Sequence, residues 1–231
     1  MEKKISLLIW IPMVIIALSL AGFYRSYLSH FPKFSNFGGL IHIHFLAFSG
    51  WFALMLVQPI LIRKKQFEKH KTLGKLSYLL IPVLILTIAL LRLKKLPAEV
   101  ADSLPDASMN AFITFLDMLS LAGFYAIAVI NSKNLRWHVA FILATSLVIL
   151  NPGLARLLNL IKPGLGMSVI LIPFIFTSIV FLYEKFRYKR SILKSPYFMI
   201  FILWLLEIIL LLIIPGTLFW QKLILELSKI S

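Results

Sequence analysis

The chain has no cysteine among its 231 residues. That excludes disulfides, thiolate metal sites and cysteine nucleophiles. Acidic residues are also scarce, with nine Asp and Glu against 24 Lys and Arg. Charged residues make up only 14% of the chain, where a soluble domain has about a quarter. No G-x-S-x-G, no H-E-x-x-H and no phosphate-binding glycine loop occurs in the sequence. The common serine-hydrolase, zinc-protease and nucleotide-phosphate arrangements are therefore missing.

What is present is apolar: 60% of residues are hydrophobic and the mean hydropathy is +0.93. These residues come in blocks long enough to cross a bilayer, which takes about 20 residues as a helix. The blocks do not alternate polar and apolar as barrel strands do. The expected fold is therefore all-α, a polytopic transmembrane bundle of about seven spans in one domain, 1–231. The spans read as 5–27, 38–62, 73–93, 109–130, 135–160, 165–183 and 196–214. The N-terminal run has a signal-peptide look, with Ser19-Leu20-Ala21 as a small-x-small site, but its length marks an uncleaved first span. Between spans 3 and 4 the stretch from Lys94 to Ser108, with Pro97, Glu99, Asp102, Pro105 and Asp106, reads as the longest polar loop. Asn131–Asn134 and Lys162–Gly164 read as turns. Asn151-Pro152-Gly153 is expected to interrupt or kink span 5. The tail 217–231 has Phe219, Leu223, Ile224, Leu227 and Ile230 at helical spacing, with Lys222, Glu226 and Lys229 opposite, as in an interfacial helix.

The net charge of +15 does not point to nucleic acid, because the basic residues sit in short loops between spans. Most fall on one side: Lys3, Lys4, the run Arg63–Lys71, Lys133, Arg136 and the run Lys185–Arg190. Glu99, Asp102 and Asp106 fall on the other. The positive-inside rule then puts the N-terminus in the cytoplasm, in a multi-pass protein of a cell membrane. The expected partners are membrane lipids, with anionic head groups on the cytoplasmic side.

Ionisable residues within spans are costly and point to function. His44, Phe48, Trp51, Met55 and Gln58 share one face of span 2 at i, i+4, i+7, i+11 and i+14. His42 points about 200° away from His44. Span 4 carries Asn110, Thr114, Asp117 and Leu121 on one stripe, and Asp117 needs a partner or a proton. His44 and Arg156 are the candidate partners, so the expected polar seam is His44, Trp51, Gln58, Asn110, Asp117 and Arg156. Glu207 lies in span 7 without an assigned partner. His44, His70 and His138 are candidate ligands of a metal or a b-type haem, since haem iron accepts axial imidazoles. They do not make one shared site, because His44 is about 27 Å from the inner end of span 2, where His70 and His138 lie. An inner pair, His70 and His138, and an outer group, His44 with His42 or His30, remain separate alternatives.

Several of these residues recur as a pattern: Phe23-Tyr24-Arg25, His42-x-His44, Trp51, Gln58, His70-Lys71-x-Leu73-Gly74, Arg136-x-His138 with Ala144-Thr145, and Arg156. In this pattern the chain resembles a group of bacterial multi-spanning membrane proteins over about residues 23–160. The resemblance implies this layout, in a bacterial inner membrane, and brings no activity with it. Haem proteins that pair histidines across four helices share only part of the arrangement. Seven-span zinc hydrolases related to alkaline ceramidase carry H-x-x-x-H in the last span, and span 7 here has no histidine. Three functions follow as alternatives: a haem- or metal-linked redox protein, a small-molecule or proton-coupled transporter built around Asp117, Arg156 and the span 5 break, and a non-enzymatic assembly factor of a membrane complex.

Overall fold

The computed structural model describes residues 2–35 and 37–230, with side chains from Ile9 onward. Met1, Asn36, Ser231 and the side chains of residues 2–8 lie outside the described residues. Lys3 and Lys4, which enter the sidedness reading, are therefore not described. The described chain is helical, without a strand among the described residues. The helices are α1 (Glu2–Tyr24), α2 (Gly39–Arg63), α3 (Phe67–Gly74), α4 (Ser77–Asp102), α5 (Leu104–Ile130), α6 (Leu135–Ile161), α7 (Leu171–Tyr188), α8 (Pro196–Ile213) and α9 (Leu218–Ile230). Among the described residues, six helical segments are long and apolar enough to cross a membrane: Gly39–Arg63, Phe67–Asp102, Leu104–Ile130, Leu135–Ile161, Leu165–Tyr188 and Pro196–Gly216. The protein is thus an integral membrane protein of multi-pass type.

The chain forms two compact units, residues 1–88 with 149–167, and residues 89–148 with 168–231. In the first unit, α1 and α2 pack together and α6 contributes its C-terminal part. Of the two outcomes expected at Asn151-Pro152-Gly153, an interruption does not occur: α6 runs from Leu135 to Ile161 with Pro152 inside it. The glycine serves a different purpose. A Cβ on Gly22 would lie 1.9 Å from the Gly153 carbonyl oxygen, and one on Gly153 would lie 2.8 Å from the Ser19 Cα. The backbones of α1 and α6 cross so closely that neither position has room for a side chain, as at small-residue crossings in membranes. Beyond α1, Tyr27 is buried among Phe34, Phe37 and Phe45, with ring centroids 4.9, 5.4 and 4.7 Å away. The turn at Lys162–Gly164 forms as expected. Gly164 takes φ +85°, and the Gly166 N–H donates to Asn159 Oδ1 at 2.7 Å.

In the second unit the expected loop 94–108 is helical almost throughout. α4 continues through Pro97 to Asp102, and α5 begins at Leu104. Only Ser103 stands between them, its hydroxyl accepting from the Asp106 N–H at 3.3 Å. Two features stabilise the extension. Arg92 forms a two-pronged ion pair with Glu99, two turns on. Leu96, at 1% exposure, packs with Ala107, Ala111 and Ile224. The stretch is an amphipathic helix end whose charges resemble a loop.

The tail forms the separate helix α9, and only part of its apolar face, at Trp220, Ile224 and Leu227, is covered by protein. Ile224 is 2% exposed, Leu227 packs beside it, and the Trp220 Nε1–H donates to the Ser108 carbonyl at 3.0 Å. Phe219 and Ile230 remain exposed. At the ends of α6, α7 and α8, Glu184 is buried and accepts from Arg136 Nε at 2.8 Å, Arg190 Nη1 at 3.3 Å and Ser195 Oγ at 2.9 Å. This cluster locks three helix termini together.

A methyl group at Gly22 should be strongly destabilising, because it meets backbone that cannot swing aside. Gly22→Ala is expected to lower stability by about 1–3 kcal/mol or more. Gly123→Ala, in α5 with nothing within 4 Å of its Cβ, should be neutral or raise stability by about 0.5–1 kcal/mol. Thermal unfolding of the two variants in the same detergent checks the contrast.

Candidate functional site

The nine acidic residues sort themselves by partner. Glu68 pairs with Lys71, Glu99 with Arg92, Glu184 with Arg136 and Arg190, and Glu226 with Lys229. Asp102 and Asp106 are exposed at helix ends, where water reaches them. The side chain of Glu2 lies outside the described residues. Asp117 and Glu207 remain, and neither has an ion-pair partner among the described residues.

These two carboxylates face each other's field deep in the apolar segments. Asp117 is the middle residue of the 27-residue α5, about 20 Å from either end at 1.5 Å per residue. It lies further from the start of its helix than a span beginning at residue 109 suggests, because α5 starts at Leu104. Glu207 is next to the middle of the 21-residue segment Pro196–Gly216. Ser120, buried one turn after Asp117, donates its hydroxyl to Glu207 Oε1. Asp117 lies within electrostatic reach of Glu207. The site therefore consists of two carboxylates and one hydroxyl bridging α5 and α8, both in the second unit. Sequence reasoning missed Ser120 and the partner of Glu207. Following the stripe from Asp117 to i+4 gives Leu121, whereas the polar neighbour is at i+3. Asn110 is exposed, and Thr114 returns its hydroxyl to the Asn110 carbonyl at 2.9 Å.

His44, Trp51, Gln58 and Arg156 belong to the first unit. Trp51 and Met55 are buried, so the stripe on α2 faces protein. His44 Nδ1 is 2.9 Å from Thr87 Oγ1, whose single proton is directed to the Val83 and Leu84 carbonyls at 2.8 and 3.0 Å. His44 is then the donor, with its proton on Nδ1. His42 faces elsewhere, bonded to the Tyr27 hydroxyl at 2.6 Å. The Arg156 guanidinium lies 4.3 Å over the Phe23 ring, close enough for its charge to reach His44. Both amide atoms of Gln58 are buried without a hydrogen-bond partner among the described residues, and a Cβ on Gly74 would sit 3.7 Å from its Nε2.

His138, in the second unit, donates Nδ1–H to the Ala128 carbonyl at 2.8 Å. That bond fixes the tautomer and leaves Nε2 with its lone pair. His70 is half-buried in α3. His44 and His70 share a unit but are separated by most of α2. Among the described residues, no three of His, Asp and Glu gather as ligands for one metal ion. Comparison with family models, curated proteins and solved structures returns no match for the chain.

Ser120 should matter through Glu207. Ser120→Ala leaves the half-buried Glu207 carboxyl without its donor and is expected to lower stability by about 1–3 kcal/mol. Ser108→Ala is the contrast. The Ser108 hydroxyl is buried with no partner, so its removal should be neutral or stabilising. Paired melting curves separate the two outcomes.

Proposed function

We propose that the protein is a proton-coupled membrane transporter in which Asp117 and Glu207 bind and release the coupled proton. The observation that carries this reading is two carboxylates near the middle of α5 and α8, within electrostatic reach of each other and without an ion-pair partner among the described residues. In low dielectric, two like charges so placed repel each other and lack hydration, so full ionisation of both is disfavoured. One proton shared across the pair relieves the repulsion, and the two groups then titrate as a unit. The Ser120 hydroxyl holds Glu207 in place by donating to whichever oxygen bears charge. Loading and unloading this proton changes the attraction between α5 and α8, which is the differential contact a two-state carrier needs.

In this reading α1 is the seventh span, the N-terminus is cytoplasmic, and the protein resides in a cell membrane of the bacterial inner-membrane kind. The basic runs Arg63–Lys71 and Lys185–Arg190 support that sidedness. A haem- or metal-linked role is the second reading. It is favoured by His44 and His138, which both carry the proton on Nδ1 and present Nε2, the arrangement usual for a metal-bound imidazole. A Soret band or bound metal in the purified protein, lost in His138→Ala, would support it.

Infrared difference spectra across a pH step test the proton site. The wild type should show a protonated-carboxyl band that is lost or shifted in both Asp117→Asn and Glu207→Gln, and kept in Glu226→Gln. In liposomes, the first two variants should lose pH-gradient-driven flux. A wild type with no titrating carboxyl band overturns the proposal.

Sidedness is tested on the cysteine-free background with single cysteines and an impermeant maleimide applied to intact cells. Lys64→Cys should be protected and Asp102→Cys labelled; the reverse pattern overturns the assignment.

A further inference from the structure

The first unit carries a half-open groove of about 360 Å³ between α2 and the α3–α4 segment. Its volume falls in the range of ligand sites, roughly 300–1,000 Å³. Gly50, Ala53, Leu54 and Val57 form one wall, at the i, i+3, i+4 and i+7 spacing of a single helix face. Leu73, Leu76, Leu79 and Leu80 form the other. No lining residue is charged or polar. Two small residues on α2 hollow the groove, and a Cβ on Gly50 would already stand 3.1 Å from Leu80 Cδ2. Ala53, Val57, Leu76 and Leu79 are exposed, so the groove opens outward.

One end of this groove runs into the densest positive charge in the unit. Between Arg63 and Lys75 stand Arg63, Lys64, Lys65, Lys69, Lys71 and Lys75, all exposed, against one acid, Glu68. Lys71 neutralises Glu68 at 2.9 Å, which leaves the other five cations uncompensated by any ion pair among the described residues. Lys75 lies in sequence between the lining residues Leu73 and Leu76. Phe67, at the start of α3, is exposed.

The depths match a lipid. Along α2, Val57 lies about 9 Å and Gly50 about 20 Å from Arg63. A head group at the level of Arg63 would send its chain along that stretch, as far as the mid-plane of a bilayer about 40–45 Å thick with its head groups. A purely apolar groove selects the chain, and an uncompensated basic rim selects the charge of the head. We propose that this groove is a specific binding site for one acyl chain of an anionic glycerophospholipid, whose phosphate is held by the basic rim, with Lys69 and Lys75 as principal contacts. The site is independent of proton exchange at Asp117 and Glu207 and survives the failure of that reading.

Native mass spectrometry of the full chain in detergent tests this with dioleoylphosphatidylglycerol and dioleoylphosphatidylcholine as probes. The wild type should bind the anionic lipid at least about tenfold more tightly, in keeping with roughly 1 kcal/mol per basic residue. Lys69→Gln with Lys75→Gln should reduce that preference to near unity. Ala53→Phe, which fills the groove and leaves the basic rim intact, should abolish the tight adduct, while Leu212→Phe on α8 should leave it unchanged. If Ala53→Phe does not fold, Ala53→Leu replaces it. Equal binding of the two lipids overturns the proposal. So does undiminished binding of the anionic lipid by the filled variant, or full competition by glycerol phosphate, either of which means a basic surface without a chain site. A dimer in place of lipid adducts means that a second copy occupies the groove, and also overturns it.

Discussion

Inside a bilayer a backbone N–H or C=O that leaves its own helix finds no water, and each such loss costs several kcal/mol. The helices of this chain hold to that constraint even where residue preferences argue against it. Pro97 and Pro152 sit within α4 and α6 without ending them. The hydroxyls follow the same economy. Ser49, Thr87, Thr145 and Thr177 return their protons to carbonyls three or four residues back. Against that background Ser120 stands out, because it sends its hydroxyl to a carboxylate on another helix. With the backbone satisfied internally, side chains are free to decide how helices meet. At Gly22 and Gly153 they do so by their absence.

Electrostatics divides the acids into two kinds. Glu99 and Glu184 are each met by arginine near helix ends, where paired charges are partly buried and hold neighbouring segments in place. Such pairs contribute specificity more than net stability, since desolvation offsets much of their attraction. Asp117 and Glu207 lie near the middle of their helices, within electrostatic reach of each other and without a cation paired to either among the described residues. A fold has no structural reason to bring two carboxylates together there. That is why the pair carries the functional reading, whereas the larger number of salt bridges does not.

The class of the protein was legible from composition, because apolar blocks of span length have few other uses. The turns at Asn131–Asn134 and Lys162–Gly164 were legible as well, since their residues act locally. What escaped depended on partners remote in sequence. Residues 94–108 look like a loop until Arg92 reaches Glu99 and Leu96 finds Ile224. Pro152-Gly153 reads as a breaker, because local propensity cannot register the backbone of α1 lying against the glycine. Asp117 was found as a costly residue, but the start of its helix was placed five residues too late. Glu207 was found without Ser120, which is 87 residues away in sequence. His44 and His42 were correctly separated by helical geometry, though their partners, Thr87 and Tyr27, could not be read from spacing.

The docking of α9 bears on how the protein is made. Trp220 closes over the Ser108 carbonyl from 112 residues further along the chain. At about 5–20 residues per second of synthesis, α5 waits roughly 6–20 s before the segment that covers it leaves the ribosome. During that interval the apolar seat formed by Leu96, Ala107 and Ala111 lacks Ile224. α9 is thus the helix that completes the second unit, and it does so well after the rest of that seat has been synthesised.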